Sequence, residues 1–259
     1  MTDVVRVETD GPLAVLTFDS PPLNLFDEAV FRGLQEAIDR VAADPPRGLL
    51  IRAEGKVVSG GVDVGKVFDG MSAERGGALW DELLGVIHQI EELPLPTVFA
   101  AHGLCLTAAF EVALACDLLL ASEKARFGLV EIVVGLTPSM GGPQRLAERA
   151  GPARAKELIF TGELYDAATL ERWNVVNRVL APDGFDDAAR AFARRLAEGP
   201  TRAHAATKAI VRAQKEGGAR AADAIVAEVS GALFDTEDLQ NAVRSFLTDG
   251  PGKATYEGR

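Results

Sequence analysis

Two glutamates in apolar surroundings are the residues whose type and position suggest chemistry. Glu111 interrupts the run LCLTAAFEVALACD, which spans residues 104–117. Glu131 stands between Leu129-Val130 and Ile132-Val133-Val134. Burying a carboxylate is unfavourable unless it is hydrogen-bonded, paired or protonated, and apolar neighbours raise a carboxyl pKa, which suits a general acid. The structural alternatives are a helix-capping acid for Glu111 and an edge residue facing water for Glu131.

Two loops offer backbone N–H groups for the same chemistry. The first, GKVVSGGVDVGK from Gly55 to Lys66, holds four glycines, which allow a backbone to approach a ligand closely. Its alternative is a surface turn. The second, HGLCLTAA, leads into the predicted helix that carries Glu111. If Ala108 lies in the first turn, its N–H points at a developing anion, and the helix dipole favours an ionised Glu111.

Short apolar strands alternating with helices must position these groups. This alternation predicts an α/β core over residues 1–195, followed by a helical region over residues 196–259. Asp27 is predicted to cap a helix that Pro45-Pro46 ends. The predicted strands are Val4–Glu8, Leu13–Phe18, Gly48–Arg52, Pro96–Ala101 and Leu118–Ala121. Further helices are predicted over Leu79–Ile90, from about Ala108, over Gly141–Arg149 and over Pro152–Phe160.

Composition excludes several classes of protein. The 259 residues are 47% hydrophobic and 25% charged, with a net charge of −11, which argues against general nucleic-acid binding. Cys105 and Cys116 belong to no CxxC pair and are predicted to be buried thiols of a cytoplasmic protein. No His/Cys cluster indicates a metal site. The N-terminus does not resemble a signal peptide, and charged residues within the apolar run 98–121 favour core burial over a membrane helix.

Four segments, taken in order, carry a resemblance to a known family. They are VVSGGVDV, AAHGLCLTAAFEVALACD, ARFGLVEIVVGLTPSMGGPQRL and TGELYDAATLERWNVVNRVL. This ordered set resembles the enoyl-CoA hydratase/isomerase family, also called the crotonase superfamily. The resemblance runs from about Val4 to Asn177 and continues more weakly into the helical tail.

The resemblance implies a spiral of ββα units that binds an acyl-CoA thioester. The thioester oxygen would lie between the backbone N–H groups of Val62 and Ala108. Glu111 matches the residue that acts on water and Glu131 the proton donor to C2, with roles that could be shared or exchanged. The implied coenzyme A path follows Lys56, Gly60, Asp63 and Val64, with Met140 at the acyl channel. Coenzyme A is part of the substrate, so no separate cofactor is expected.

The resemblance also implies a homotrimer or hexamer, with residues 196–259 forming subunit contacts or a lid. One departure bears on activity: Thr107-Ala108-Ala109 stands where the family commonly has glycines. Alanine still supplies an N–H, but its methyl group disfavours positive φ. Three interpretations therefore stay open. They are a hydratase, an isomerase or another thioester-enolate enzyme on the same scaffold, of which the isomerase needs only one base, and a non-catalytic acyl-CoA-binding or scaffolding protein. The presence of both glutamates favours the hydratase.

Overall fold

The structure, a computed structural model, describes residues 4–259. The strands are β1 Val5–Asp10, β2 Leu13–Phe18, β3 Gly48–Ala53, β4 Thr97–Ala101, β5 Leu104–Leu106, β6 Leu118–Ser122, β7 Arg126–Gly128, β8 Tyr165–Asp166 and β9 Arg178–Leu180. The helices are α1 Glu28–Ala43, α2 Val64–Val67, α3 Ala73–Glu92, α4 Ala108–Ala115, α5 Gly142–Ala150, α6 Pro152–Thr161, α7 Ala167–Arg172, α8 Phe185–Ala197, α9 Thr201–Gly231 and α10 Glu237–Asp249. Glu131–Val134 and Ala232–Asp235 are short 3₁₀ helices.

The main sheet has six strands in the order β1-β2-β3-β4-β6-β9. Strands β1 and β2 form an antiparallel hairpin, and the later neighbours pair in parallel. Parallel strands bury both faces and need helical crossovers, which explains the alternation read in the sequence. The predicted α/β class is confirmed.

Side chains from the two faces of the main sheet enter two separate hydrophobic clusters. Leu16 and Phe18 of β2 point into the larger cluster, under α1, α3 and α4. Leu13 and Val15 of the same strand point to the opposite face, where α8 packs. Because strand residues alternate between faces, one run of apolar residues serves both layers.

Local signals set the ends of α1 as predicted. Asp27 accepts hydrogen bonds from the N–H groups of Ala29 and Val30 at 3.1 and 3.2 Å, which is N-cap geometry. The helix ends at Ala43, before Pro45-Pro46. The apolar face of the helix, formed by Val30, Leu34, Ile38 and Val41, is buried.

A second, three-stranded sheet was not predicted. Its order is β5-β7-β8, with β5 and β7 parallel and β8 antiparallel to β7. These strands have only two or three residues each, too few for a period of two to be recognised. This sheet holds the segment before α4 beside the segment before Glu131.

Helices dominate the chain after residue 184. Helix α9 is broken at Gly218, which has a φ of 76°. Among residues 4–259, no helix is both long and apolar enough to cross a membrane. Cys105 and Cys116 are buried and free, as predicted.

Candidate active site

Thr107 turns the chain from β5 into the helix that carries Glu111. Its φ of 48° and ψ of −123° lie in a region that favours glycine, and a β-branched residue there is strained by about 1–3 kcal/mol. Its N–H donates to the carbonyl of Gly128 at 3.0 Å. The helix start is thereby fixed against β7, and the N–H of Ala108 has no acceptor among residues 4–259.

The loop after β3 carries a second unengaged N–H, at Val62. Phe26 and Val62 form an isolated parallel bridge. The N–H of Asp63 donates to the carbonyl of Phe26, and the N–H of Phe26 donates to the carbonyl of Gly61, both at 2.9 Å. That pattern turns the N–H of Val62 away from Phe26, and no acceptor for it occurs in the described chain. The alternative of a simple surface turn does not fit this loop, because Val58 and Ser59 are buried.

Asn24 anchors this loop and was missed in the sequence. It is 4% exposed, and its amide nitrogen donates to the carbonyls of Glu54 and Val57 at 2.8 and 3.0 Å. Its side-chain oxygen accepts from the N–H of Ser20 at 2.7 Å. An asparagine after Pro21-Pro22 signals a turn, but it does not reveal partners some thirty residues away.

Glu111 is almost completely buried, and one of its oxygens accepts two hydrogen bonds. The residue is 2% exposed. Its Oε1 accepts from the N–H of Met140 at 2.9 Å and from that of Gly142 at 2.8 Å, at the start of α5. The sequence predicted Met140 at an acyl channel, and in the structure Met140 is buried and its backbone holds the carboxyl. Glu111 is therefore neither exposed nor a simple cap.

Glu131 begins the 3₁₀ helix Glu131–Val134 and is half-buried. Its Oε2 is buried and has no hydrogen-bond partner within residues 4–259. The three apolar residues that follow it are exposed, so the carboxyl turns inward while its neighbours face solvent. Glu131 is therefore not an edge residue whose carboxyl faces water.

Burial raises the pKa of both carboxyls. For Glu111 it raises the pKa to about 8; the neighbouring Glu131 carboxyl raises it as well, and the N–H groups of Gly142 and Met140 oppose the shift. For Glu131, burial raises the pKa to about 7. The sequence predicted that the helix dipole would favour an ionised Glu111, whereas burial raises the pKa of this carboxyl and favours the protonated form. Two interacting carboxyls that titrate near neutrality can exchange protons with a bound molecule.

The predicted coenzyme A residues lie on one stretch of the same loop. Lys56 and Val64 are exposed, and Gly60 is half-buried, with its N–H donating to the carbonyl of Leu23 at 2.8 Å. Asp63 caps α2 by accepting from the N–H of Lys66 at 3.2 Å. The Lys66 ammonium lies 3.2 Å from Asp63 and 2.9 Å from Asp27.

A cavity of about 900 Å³ lies elsewhere, between α9 and the ends of α3, α4 and α5. None of the predicted site residues lines it, whereas Arg145 and Glu91 do. Within residues 4–259, no group of three or more His, Cys, Asp or Glu side chains is arranged to hold a metal ion.

The fold defines a mixed α/β protein with helices on both faces of its main sheet, and comparisons with known proteins agree. The model of the Enoyl-CoA hydratase/isomerase family matches residues 8–258, and the chain belongs to that enzyme family. A probable enoyl-CoA hydratase of Rhizobium meliloti (strain 1021) is 32% identical over 247 residues, 95% of each chain. The probable enoyl-CoA hydratase EchA17 of Mycobacterium tuberculosis (strain H37Rv) is 34% identical over 201 residues, 77% of each chain.

A solved structure shows the same fold over almost the whole chain. The crystal structure of an enoyl-CoA hydratase of Mycobacterium smegmatis superposes with a TM-score of 0.89 at 28% identity. The superposition covers 95% of this chain and 96% of that one. The predicted crotonase fold and family are confirmed.

Proposed function

We propose that this protein is an enoyl-CoA hydratase, which adds water across the 2,3 double bond of a 2-enoyl-CoA thioester. The observation that carries the proposal is a pair of inward-turned carboxyls: Glu111 accepts two backbone hydrogen bonds on one oxygen, and the buried Oε2 of Glu131 has no partner within residues 4–259. Burial raises the pKa of both groups toward neutrality. Hydration needs one group to take a proton from water and another to supply a proton at C2. An isomerase needs only one such group.

The unengaged N–H groups of Val62 and Ala108 are proposed to hold the thioester oxygen. As water attacks C3, negative charge develops on that oxygen, and two fixed N–H donors stabilise it. Loss of one such donor typically costs about 2.7–4 kcal/mol. The strained backbone at Thr107 supports this role, because strain of this kind clusters where a peptide must be aimed at a ligand.

Hydrogen bonding supports Glu111 as the group that acts on water. Two N–H donors on one of its oxygens stabilise the carboxylate and oppose the rise in pKa that burial causes, so the ionised form is proposed to be the one that takes the proton from water. Glu131 has no such donor on its Oε2, so a proton on that carboxyl is left to be donated to C2. The two carboxyls titrate as a pair, and the assignment concerns their roles during turnover.

Turnover of crotonyl-CoA, followed by loss of absorbance of the conjugated thioester, tests the proposal. Glu111→Gln and Glu131→Gln should each reduce kcat by about a hundredfold or more, with a smaller effect on KM. If Glu131→Gln is silent while Glu111→Gln is inactive, and 3-enoyl-CoA is converted, the protein is an isomerase. If no enoyl-CoA is turned over but coenzyme A binds, the protein is a non-catalytic acyl-CoA-binding protein.

Coenzyme A is proposed to lie along Lys56, Gly60, Asp63 and Val64. Lys66 is engaged by two carboxylates, so the exposed Lys56 is the better cation for a phosphate. Lys56→Glu should weaken coenzyme A binding at low salt and lose its effect at high salt. Lys156→Glu, an exposed change on α6, is the matched control. Equal affinity of both variants at low salt would contradict this path.

Association into a homotrimer or hexamer is proposed on the apolar surface of the C-terminal helices. Val243, Phe246 and Leu247 are exposed on α10 at a spacing that places them on one face. Clustered exposed apolar residues commonly mark contacts between protein chains. Light scattering on a sizing column measures the mass, and a monomer at micromolar concentration would contradict the proposal.

A further inference from the structure

Arg145 is a buried cation directly behind the turn that holds Glu111. It is 4% exposed and lies on α5. Its Nε donates to Glu91 Oε1 at 2.9 Å, and its Nη2 contacts the other oxygen of Glu91, so the two side chains form a bidentate pair. The remaining Nη1 donates to the carbonyl of Gly141 at 3.2 Å.

Gly141 links this ion pair to the candidate catalytic carboxyl. It is flanked by Met140 and Gly142, the two residues whose N–H groups bind Glu111 Oε1. A Cβ on Gly141 would lie 1.9 Å from Nη1 of Arg145, so the arginine occupies the space beside this glycine. The position of the turn, and of both donors to Glu111, therefore depends on where the arginine is held.

Glu91 is held in turn from two helices. Lys215 of α9 places its Nζ 3.4 Å from Glu91 Oε1 and 2.9 Å from Glu148 Oε2. Although burial opposes ionisation of Glu91, the hydrogen bonds and charges of Arg145 and Lys215 keep its pKa below the ordinary value. The C-terminal region thus contacts the same network as α3 and α5.

We infer that Glu91 and Arg145 are positioning residues for Glu111, and that Lys215 makes helix α9 part of this support. The inference rests on the proposed function, in which Glu111 reacts with the substrate. An ionised Glu91 fixes the guanidinium, the guanidinium fixes the Gly141 carbonyl, and the turn then presents two N–H groups to one oxygen of Glu111. Without the Glu91–Arg145 pair, the Glu111 carboxyl is still present but is no longer held in its orientation.

Neighbouring glutamates on α3 give a matched pair of variants. Glu91 pairs with the buried Arg145, whereas Glu92 pairs at 3.9 Å with the surface residue Arg212. Glu91→Gln should lower kcat on crotonyl-CoA by about tenfold to a hundredfold with little change in KM, the usual scale for a misplaced catalytic group. Glu92→Gln should leave both unchanged. On α9, Lys215→Met should have a smaller effect of the same kind, and Arg212→Met none.

A double-mutant cycle separates positioning of Glu111 from general loss of structure. In a Glu111→Gln background, Glu91→Gln should have almost no further effect on kcat, because the group that it positions is already absent. Equal fold losses in both backgrounds would overturn the inference, as would a Glu91→Gln enzyme with wild-type kcat. A thermal unfolding curve for each variant checks that it is folded. If Glu91→Gln does not fold, Lys215→Met takes its place in the same double-mutant cycle.

Carbon-13 NMR of the glutamate carboxyls tests the same inference without turnover. Glu131 and Arg145 are the charged groups that act on Glu111 from the elements around it, and Glu91 reaches it through Arg145. Arg145→Gln removes a positive charge and the support of both N–H donors, so the Glu111 titration should move to higher pH. An unmoved titration would overturn the inference even if the wild type proves not to be a hydratase. An active wild type with unaffected variants would overturn it and leave the proposed function standing.

Discussion

Gly61 lies against Thr107, so that a Cβ on Gly61 would be 3.0 Å from Thr107 Oγ1. Each of these residues directly precedes one of the two unengaged N–H groups, at Val62 and Ala108. The two loops can approach this closely because Gly61 has no side chain, and the Thr107 side chain fills the space beside it.

Gly61→Ala is expected to disturb this spacing. The new methyl group would press on Thr107, and the φ of 106° at Gly61 adds backbone strain. We expect kcat/KM to fall by about tenfold to a thousandfold, because a displaced N–H donor no longer reaches the thioester oxygen. Gly55→Ala is the control, since Gly55 has a φ of 86° but open space around it. It should lower stability and leave turnover intact; equal activity losses would contradict the prediction.

Two buried hydroxyls without partners predict variants with increased stability. The Oγ1 atoms of Thr107 and Thr17 are both buried with no hydrogen-bond partner in the described chain. Thr→Val keeps the shape and removes an unpaired hydroxyl, so each change should raise the free energy of unfolding by about 1 kcal/mol. Chemical denaturation measures it. A destabilised Thr107→Val beside a stabilised Thr17→Val would mean that the Thr107 hydroxyl has a partner in solution.

Stability should fall as pH rises, because burial favours protonated Glu111 in the folded state. Its pKa is about 8 in the fold against a reference of 4.5. The folded protein binds more protons between these values, so the contribution is complete below about pH 4.5 and is lost as pH rises toward about 8. Glu111→Gln should reduce this fall, leaving the part that Glu131 contributes below about pH 7, and should melt at a higher temperature than the wild type above pH 8. A wild-type melting curve that is level from pH 5 to 8 would contradict this.

Gly142→Ala should impair catalysis by displacing the Glu111 carboxyl. A Cβ at this position would lie 2.9 Å from Glu111 Oε1, 3.1 Å from its Cγ and 3.1 Å from Leu129 Cδ1. The carboxyl must move, so kcat should fall by about a hundredfold. Gly85→Ala, on the exposed side of α3 with nothing within 4 Å, should instead stabilise the helix by about 0.5–1 kcal/mol. Steady-state kinetics and thermal melting of both variants test the contrast.

The sequence predicted those parts of the molecule that local chemistry controls. A few neighbouring residues determine each of three features: the cap at Asp27, the alternation of strands and helices, and the start of α4. The short strands β5, β7 and β8 are not, because they are held by pairing with distant residues rather than by their own pattern.

The residues proposed for the site were named from the sequence, whereas their burial and hydrogen bonding were predicted only in part. Apolar neighbours correctly predicted a raised pKa for Glu131. For Glu111 the helix dipole was the visible signal, whereas complete burial is a property of the folded core and was not visible. Glu91 and Arg145 are 54 residues apart, and no local signal predicts their contact.

The space beside Gly141 has a consequence for how this chain can vary. Nη1 of Arg145 lies where a side chain at position 141 would begin, and Gly141 has a φ of 92°, which residues with a side chain rarely adopt. A larger residue at 141 therefore strains the backbone and pushes the guanidinium away from the Gly141 carbonyl. Related sequences that keep arginine at 145 should also keep glycine at 141, whereas a shorter residue at 145 leaves glycine at 141 acceptable.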